Sequence, residues 1–143
     1  MKKTILLVED SMTDAFVIND ILYGHYRVVH IHHANNILKD VRFIRPDLVL
    51  MDIVMPGVSG FGATRILKQH HETRHIPLIV CSSKSMETDR IWARRNGADD
   101  YIVKPPSKLA LLSKVGAVLR NKEVGKGYNP AHIVGGQQRR DQP

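Results

Sequence analysis

The chain has 143 residues, of which 43% are hydrophobic and 24% charged, an ordinary balance for a globular protein with a buried core. It carries 21 basic and 14 acidic residues, a net charge of +7, and a single cysteine. One cysteine excludes an internal disulfide framework, and no apolar run approaches the roughly 20 residues of a membrane span. The apolar run after Met1-Lys2-Lys3 is too short for a signal peptide. We therefore expect a cytoplasmic protein without membrane insertion.

The excess of positive charge indicates non-specific attraction to polyanions, not a particular fold or site. Basic residues are spread over many segments of the chain. The sequence has neither zinc-finger spacing nor an aromatic RNA-binding motif. We therefore expect no nucleic-acid partner.

The first part of the chain alternates apolar runs with helical patterns. Thr4–Val8 is a continuous apolar run, typical of a parallel strand buried on both faces. Ser11 followed by Asp14 resembles a capping box, and the helix that it opens has an apolar face of Ala15, Ile18 and Leu22. A weaker run at Arg27–His33 mixes Val and Ile with His and predicts an exposed edge strand. The next predicted helix, ended by Pro46, has apolar residues at helical spacing: Ile37, Val41 and Ile44.

The rest of the chain repeats this alternation three times. Continuous apolar runs predict three more buried strands, at Leu48–Met51, Leu78–Cys81 and Tyr101–Val103. The helix after the first of these runs has an apolar face of Ala63, Ile66 and Leu67, and a fourth helix covers 86–96. The fifth helix shows apolar or small residues at helical spacing: Leu109, Leu112, Gly116 and Leu119. The pattern ends near Arg120, so we expect a domain of residues 1–120 and a flexible, disordered tail of residues 121–143.

Five repeats of strand and helix predict an α/β fold, because each connection between parallel strands requires a crossover. Five strands suit the flavodoxin-like doubly wound order 2-1-3-4-5, a three-layer α/β/α arrangement with five helices. Ligand sites in such folds lie at the carboxyl ends of the strands.

Polar residues follow four of the predicted strands at those ends. Glu9 and Asp10 follow the first strand, Asp52 the third, Ser82 the fourth and Lys104 the fifth. On a parallel sheet these three carboxylates, a hydroxyl and an amine should converge on one edge. Each residue has an ordinary explanation by itself, such as a helix cap or a turn, so the joint occurrence carries the prediction.

This combination of groups suits phosphoryl transfer. Adjacent carboxylates raise one another's pKa, and a divalent cation such as Mg²⁺, or Mn²⁺ as an alternative, would relieve their repulsion. Carboxylates also attack phosphorus as nucleophiles. We therefore predict that Asp52 accepts a phosphoryl group and that Glu9 and Asp10 hold the cation. Lys104 would neutralise the phosphoryl oxygens, and Ser82 would hydrogen-bond one of them.

The motifs around these residues resemble the receiver domains of bacterial two-component response regulators. The resemblance covers residues 3–120 and is carried by Leu7-Val8-Glu9-Asp10-Ser11, the stretch 47–57, Ser82, and Tyr101-Ile102-Val103-Lys104-Pro105. It implies that Asp52 is the phosphoacceptor, and it implies a set of metal ligands consisting of Glu9, Asp10, Asp52 and the backbone carbonyl of Val54. It also implies that Ser82 and Tyr101 form a switch pair and that the Lys104-Pro105 peptide is cis.

Within this family, segments 57–65 and 87–97 look most like the stand-alone receivers of pilus-based, chemotaxis-like twitching systems. The resemblance implies a histidine kinase or phosphotransfer domain as phosphodonor and a downstream protein target, such as motility machinery. It implies a signalling protein and not an enzyme, limited to self-catalysed phosphoryl transfer and slow self-dephosphorylation. The protein would be a monomer or a dimer promoted by phosphorylation.

The family's switch implies that Ser82 moves towards the phosphoryl group while Tyr101 turns inward. The face formed by the fourth helix, the fifth strand and the fifth helix would then change shape for a partner. Arg90, Trp92 and Arg94 are expected on or near that face.

The chain departs from the family pattern two positions after Asp52, where it has Val54. The valine side chain cannot hydrogen-bond a water molecule. We therefore expect slow self-dephosphorylation. The alternative function is a Mg²⁺-dependent aspartyl-phosphate hydrolase of the haloacid dehalogenase kind. Such enzymes place a second acid where this chain has Val54, which disfavours repeated turnover. A DNA-binding regulator and a metal site of histidines such as His30, His32 and His33 are further, weaker alternatives.

Overall fold

The computed structural model describes residues 1–124, in which strands and helices alternate five times. The strands are β1 (Thr4–Val8), β2 (Arg27–Ile31), β3 (Leu48–Met51), β4 (Leu78–Ser82) and β5 (Asp100–Val103). The helices are α1 (Met12–Leu22), α2 (Ile37–Ile44), α3 (Gly60–Gln69), α4 (Glu87–Arg95) and α5 (Lys108–Glu123). The strands form one parallel sheet in the order β2-β1-β3-β4-β5. The predicted flavodoxin-like fold is therefore confirmed.

The sheet separates two hydrophobic cores, because alternate residues of a strand point to opposite faces. Ile5 and Leu7 of β1 pack with the apolar faces of α1 and α5. Leu6 and Val8 pack on the other side, with α2, α3 and α4. The residues of β3 are all buried, whereas those of β2 are half-buried or exposed. This difference explains why β3 is a continuous apolar run and the edge strand β2 tolerates histidine.

Serine side chains begin three of the helices at the carboxyl edge of the sheet. The hydroxyls of Ser11, Ser59 and Ser107 each accept a hydrogen bond from the backbone amide three residues later, at 3.0–3.2 Å. Caps of this kind stabilise a helix by about 1 kcal/mol each. They fix the points at which the chain turns from strand to helix, next to the predicted site.

One expectation about α5 is wrong. The predicted face included Leu109, but that side chain is 77% exposed, and the buried residues are Leu111, Val115, Val118 and Leu119. Both sets have helical spacing, and packing against the sheet selects between them. The helix also continues to Glu123, and Lys122 Nζ donates to the His75 carbonyl at 2.7 Å. Residues 125–143 of the predicted tail lie outside the described residues, so the domain boundary stays a prediction.

Over residues 1–124, none of the helices combines the length and the apolar character that crossing a membrane requires.

Candidate functional site

Three carboxylates meet where β1 and β3 end. Val8 and Met51 are paired across the two strands, so the residues that follow them are neighbours. One oxygen each of Glu9, Asp10 and Asp52 lies within 4.8 Å of the other two. Glu9 is 1% exposed and Asp52 is 5% exposed. The structure therefore brings together the three acids that the sequence predicts as metal ligands.

Lys104 lies among these acids, although it follows the edge strand β5. Its Nζ is 2.5 Å from Glu9 Oε1, 3.0 Å from Asp14 Oδ2 and 3.6 Å from Asp52 Oδ1. Its side chain is only 8% exposed. The Lys104-Pro105 peptide is cis, as the resemblance implies. The predicted amine thus lies beside the predicted phosphoacceptor.

Burial changes the protonation of this cluster. Burial and, to a smaller extent, the charge on Asp52 raise the pKa of Glu9 to about 7, although the contact with the Lys104 amine opposes them. Burial alone would lower the pKa of Lys104, but its close contacts with the carboxylates of Glu9 and Asp14 and the charge on Asp52 outweigh burial and raise the pKa. Lys104 therefore stays a cation, whereas Glu9 takes up a proton readily.

One buried oxygen of Glu9 lacks a hydrogen-bond donor. Oε1 is buried and, despite the nearby Lys104 amine, receives no hydrogen bond of acceptable geometry. A buried carboxylate oxygen without such a partner is costly. A hard cation bound by carboxylate oxygens would satisfy it, so the donor set fits a divalent metal.

The loop between β3 and α3 holds the Asp52 carboxylate in place. The amide of Val54 donates to Asp52 Oδ1 at 3.3 Å, while the predicted role of the Val54 carbonyl as a metal ligand stays a prediction. Helix α3 begins directly against the backbone of Asp52. A Cβ atom at Gly60 would lie 2.0 Å from the Asp52 carbonyl oxygen, so only glycine fits there.

The predicted switch residues are linked through the backbone of Lys84. Ser82 is fully buried, and its hydroxyl accepts a hydrogen bond from the Lys84 amide at 3.2 Å. The Tyr101 hydroxyl donates to the Lys84 carbonyl at 2.8 Å, and Tyr101 is 5% exposed. Tyr101 thus already occupies the inward position that the sequence predicts for the end of the switch. The roles of Ser82 and Tyr101 stay predictions.

The sequence reasoning missed the contact between Asp14 and this site. It assigned Asp14 to a capping box, but the Asp14 carboxylate bonds Lys104 Nζ, and the Ser11 amide donates instead to Glu9 Oε2 at 3.2 Å. No local pattern reveals this contact, because it joins residues 90 positions apart in the chain. His30 was also missed: its Nε2 is 2.7 Å from the Glu9 carbonyl oxygen.

Helix α4 places Arg90 beside β5, whereas the roles of Trp92 and Arg94 as partner contacts stay predictions. Ala93 is the buried residue of α4, and at about 100° per residue Arg90 and Asn96 flank it on opposite sides. The Arg90 guanidinium lies 5.3 Å from the Tyr101 ring of β5, whereas Asn96 accepts a hydrogen bond from Arg65 of α3. Trp92 is on the side of Asn96. Its ring is exposed, and the Arg95 guanidinium lies 5.7 Å from it.

Comparison with known proteins agrees with this geometry. The family model described as response regulator receiver domain matches residues 5–116. Protein PilH of Pseudomonas aeruginosa is 42% identical over 116 residues, which are 80% of this chain and 96% of PilH. The DNA-binding response regulator MtrA of Mycolicibacterium smegmatis is 32% identical over 124 residues. That match covers 86% of this chain and about half of MtrA, 53%.

A solved structure has the same fold over most of its length. The signal receiver domain of a signal transduction histidine kinase from Syntrophus aciditrophicus superposes with a TM-score of 0.75 at 33% identity. The superposition covers 83% of this chain and 91% of that one. These matches give the haloacid dehalogenase alternative no support.

Proposed function

Because the chain belongs to the response regulator receiver domain family, we propose that it accepts a phosphoryl group on Asp52 in a Mg²⁺-dependent reaction and thereby switches a protein-binding surface. The observation that carries the proposal is the position of the Asp52 carboxylate. It is buried within 3.6 Å of the Lys104 amine and shares an acidic cluster with Glu9 and Asp10.

The chemical step needs the groups of this cluster, Mg²⁺ and a phosphoryl donor. A carboxylate oxygen of Asp52 forms a bond to phosphorus as the bond between phosphorus and the leaving group of the donor breaks. The leaving group keeps the electron pair of that bond. Lys104 then compensates charge on the phosphoryl oxygens, and the Ser82 hydroxyl donates a hydrogen bond to one of them.

We assign the metal site to Glu9, Asp10 and Asp52, with the Val54 carbonyl as a further ligand. The oxygen donors and the unsatisfied Glu9 Oε1 support this assignment. Mg²⁺ bound there would neutralise negative charge on the phosphoryl group, and Mn²⁺ could replace it. Self-catalysed transfer and slow self-dephosphorylation belong to the same proposal, since no further acid lies at position 54.

The switch would act through Lys84. A phosphoryl group adds about −1.5 to −2 charge and strong acceptor oxygens, so it would accept a hydrogen bond from the Ser82 hydroxyl and draw that side chain away from the Lys84 amide that donates to it. Movement of Lys84 would alter the hydrogen bond with Tyr101 and hence the cation–π contact of Arg90. The face of α4, β5 and α5 would then change for a partner.

The biological setting that we propose follows the relationship with PilH. The phosphodonor would be a histidine kinase or phosphotransfer domain, and the output a protein target in chemotaxis-like or twitching-motility signalling. The protein would act in the cytoplasm as a single receiver, as a monomer or as a dimer promoted by phosphorylation.

The test is incubation of the full chain with acetyl phosphate and Mg²⁺, followed by intact mass measurement. We expect the wild type to gain the mass of one phosphoryl group and Asp52→Asn to gain none. The gain should also be lost when Mg²⁺ is chelated. Asp99→Asn is the matched control, because Asp99 bonds the Leu78 amide and Lys68 away from the cluster. Labelling of Asp52→Asn equal to that of the wild type would refute the proposal.

A further inference from the structure

Asp14 is a fourth carboxylate at the site, and it comes from α1 rather than from a strand end. Its Oδ2 is 3.0 Å from Lys104 Nζ, closer than Asp52 Oδ1 at 3.6 Å. Its side chain is 43% exposed, whereas Glu9 and Asp52 are buried. Asp14 therefore lies at the solvent-facing rim of the cluster and still contacts its only described amine.

We propose that Asp14 is a positioning residue that holds Lys104 away from Asp52 and thereby slows phosphorylation by anionic donors. This inference rests on the proposed role of Asp52 as phosphoacceptor. It assigns to α1 a part in setting the rate of the reaction.

Carboxylate and phosphoryl oxygens compete for the N–H groups of Lys104. A lysine ammonium has three N–H donors, and three carboxylates surround this one, on Glu9, Asp14 and Asp52. Incoming phosphoryl oxygens need the same donors. Glu9 and Asp14 lie nearest to Nζ. Lys104 must therefore weaken one of these contacts to direct more than one N–H group at a phosphoryl group on Asp52, and the contact with Asp14 is the more exposed of the two.

The negative charge of Asp14 at the entrance to the site also opposes an anionic donor. A small donor such as acetyl phosphate is an anion, and it must reach Asp52, which is 5% exposed, from the solvent side. Asp14 adds negative charge on that exposed side. Such repulsion is partly screened by water, so it should weaken as the salt concentration rises.

The test compares initial rates of acetyl phosphate labelling of the full chain at saturating Mg²⁺, in low and in high salt. Asp14→Asn should label about fivefold faster than the wild type, the size that a partly exposed charge contact allows. This advantage should shrink in high salt. Asp14→Glu, which keeps the charge, and Asp20→Asn, which removes an exposed acid from the same helix, should label at about the wild-type rate.

The outcomes separate the two proposals. A wild type that gains no mass refutes the role of Asp52 and the role of Asp14 with it. A labelled wild type whose rate equals or exceeds that of Asp14→Asn refutes only the role of Asp14. The same holds if Asp14→Glu is as fast as Asp14→Asn, because the charge is then irrelevant. Thermal unfolding of each variant, monitored by circular dichroism, checks that all of them are equally folded at the assay temperature.

Discussion

Two ion pairs in this protein have nearly the same length in very different surroundings. At the carboxyl edge of the sheet, Lys104 Nζ is 2.5 Å from Glu9 Oε1, and the side chains are 8% and 1% exposed. Between α2 and the segment after α3, Arg42 Nη2 is 2.6 Å from Glu72 Oε1, and both side chains are 50% exposed. The exposed pair has the better hydrogen bonds, since Arg42 Nε also donates to Glu72 at 2.7 Å.

Access of water, and not the distance between the charged atoms, decides how strongly the two partners of an ion pair depend on each other. Water screens an exposed pair, which typically contributes about 0–1 kcal/mol to stability. A buried pair has lost its hydration, so each partner depends on the other. The exposed pair links α2 to the segment after α3. In the proposed reaction, the charges of the buried pair would interact with a phosphoryl group or a cation.

Removal of the basic side chain from each pair should give the largest difference in stability. Lys104→Met should lower the free energy of unfolding by about 3 kcal/mol at pH 8, because Glu9 and Asp52 are left buried without a counter-charge. Arg42→Met should stay within about 0.5 kcal/mol of the wild type. Urea denaturation without added metal measures both changes.

Two conditions should restore part of the stability of Lys104→Met. A lower pH lets Glu9 take up a proton, and added Mg²⁺ supplies the missing positive charge. Neither condition should affect Arg42→Met differently from the wild type. Equal losses of stability in the two variants would show that burial does not set these pairs apart.

The protonation of Glu9 should give the next largest effect. Burial first, and then the charge on Asp52, raise its pKa from 4.5 to about 7 in the folded protein. The folded protein therefore holds a proton that the unfolded chain releases, and without metal this group makes stability fall as the pH rises from 4.5 to about 7. Mg²⁺ needs the ionised carboxylate, so its affinity changes in the opposite direction.

We expect the apparent affinity for Mg²⁺ to rise by about tenfold per pH unit below pH 7 and to level off above it. The shift of the thermal unfolding midpoint with Mg²⁺ concentration, measured at several pH values, gives this affinity. Glu9→Gln should bind Mg²⁺ more weakly and lose the dependence in this range. A wild-type affinity that is constant between about pH 5.5 and 7 would mean that Glu9 is ionised throughout.

The sequence predicts the parts of this protein that follow from strand order. Continuous apolar runs indicate the buried strands, and parallel pairing then brings Glu9, Asp10, Asp52 and Lys104 to one edge. These inferences need no knowledge of side-chain packing. They succeed because all parallel strands end at the same side of a sheet.

The features that the sequence does not predict depend on contacts between distant elements. The Asp14 carboxylate bonds Lys104, 90 residues away, and nothing local distinguishes this contact from a cap. The face that α5 buries and the side of α4 on which Trp92 lies depend on how each helix packs. Gly60 is required only because α3 begins against the Asp52 carbonyl.

Substitution of Val54, at the rim between the buried cluster and open solvent, should give the smallest effect. Val54 is 51% exposed, and its amide donates a hydrogen bond to Asp52 Oδ1. In the proposed reaction, its side chain would therefore lie near the path by which water reaches a phosphoryl group on Asp52. Valine cannot orient that water, whereas asparagine can donate and accept hydrogen bonds. Val54→Asn should therefore speed self-dephosphorylation by about tenfold, which corresponds to roughly 1.4 kcal/mol of barrier.

Loss of phosphoryl mass over time after removal of the donor measures this rate. Val54→Leu is the matched control, because leucine adds volume but no hydrogen-bonding group, and it should decay no faster than the wild type. If Val54→Leu decayed as fast as Val54→Asn, disturbance of the loop and not orientation of water would explain the change. If Val54→Asn decayed at the wild-type rate or more slowly, the rim would take no part in hydrolysis, and the control of phosphoryl lifetime would lie with the buried groups alone.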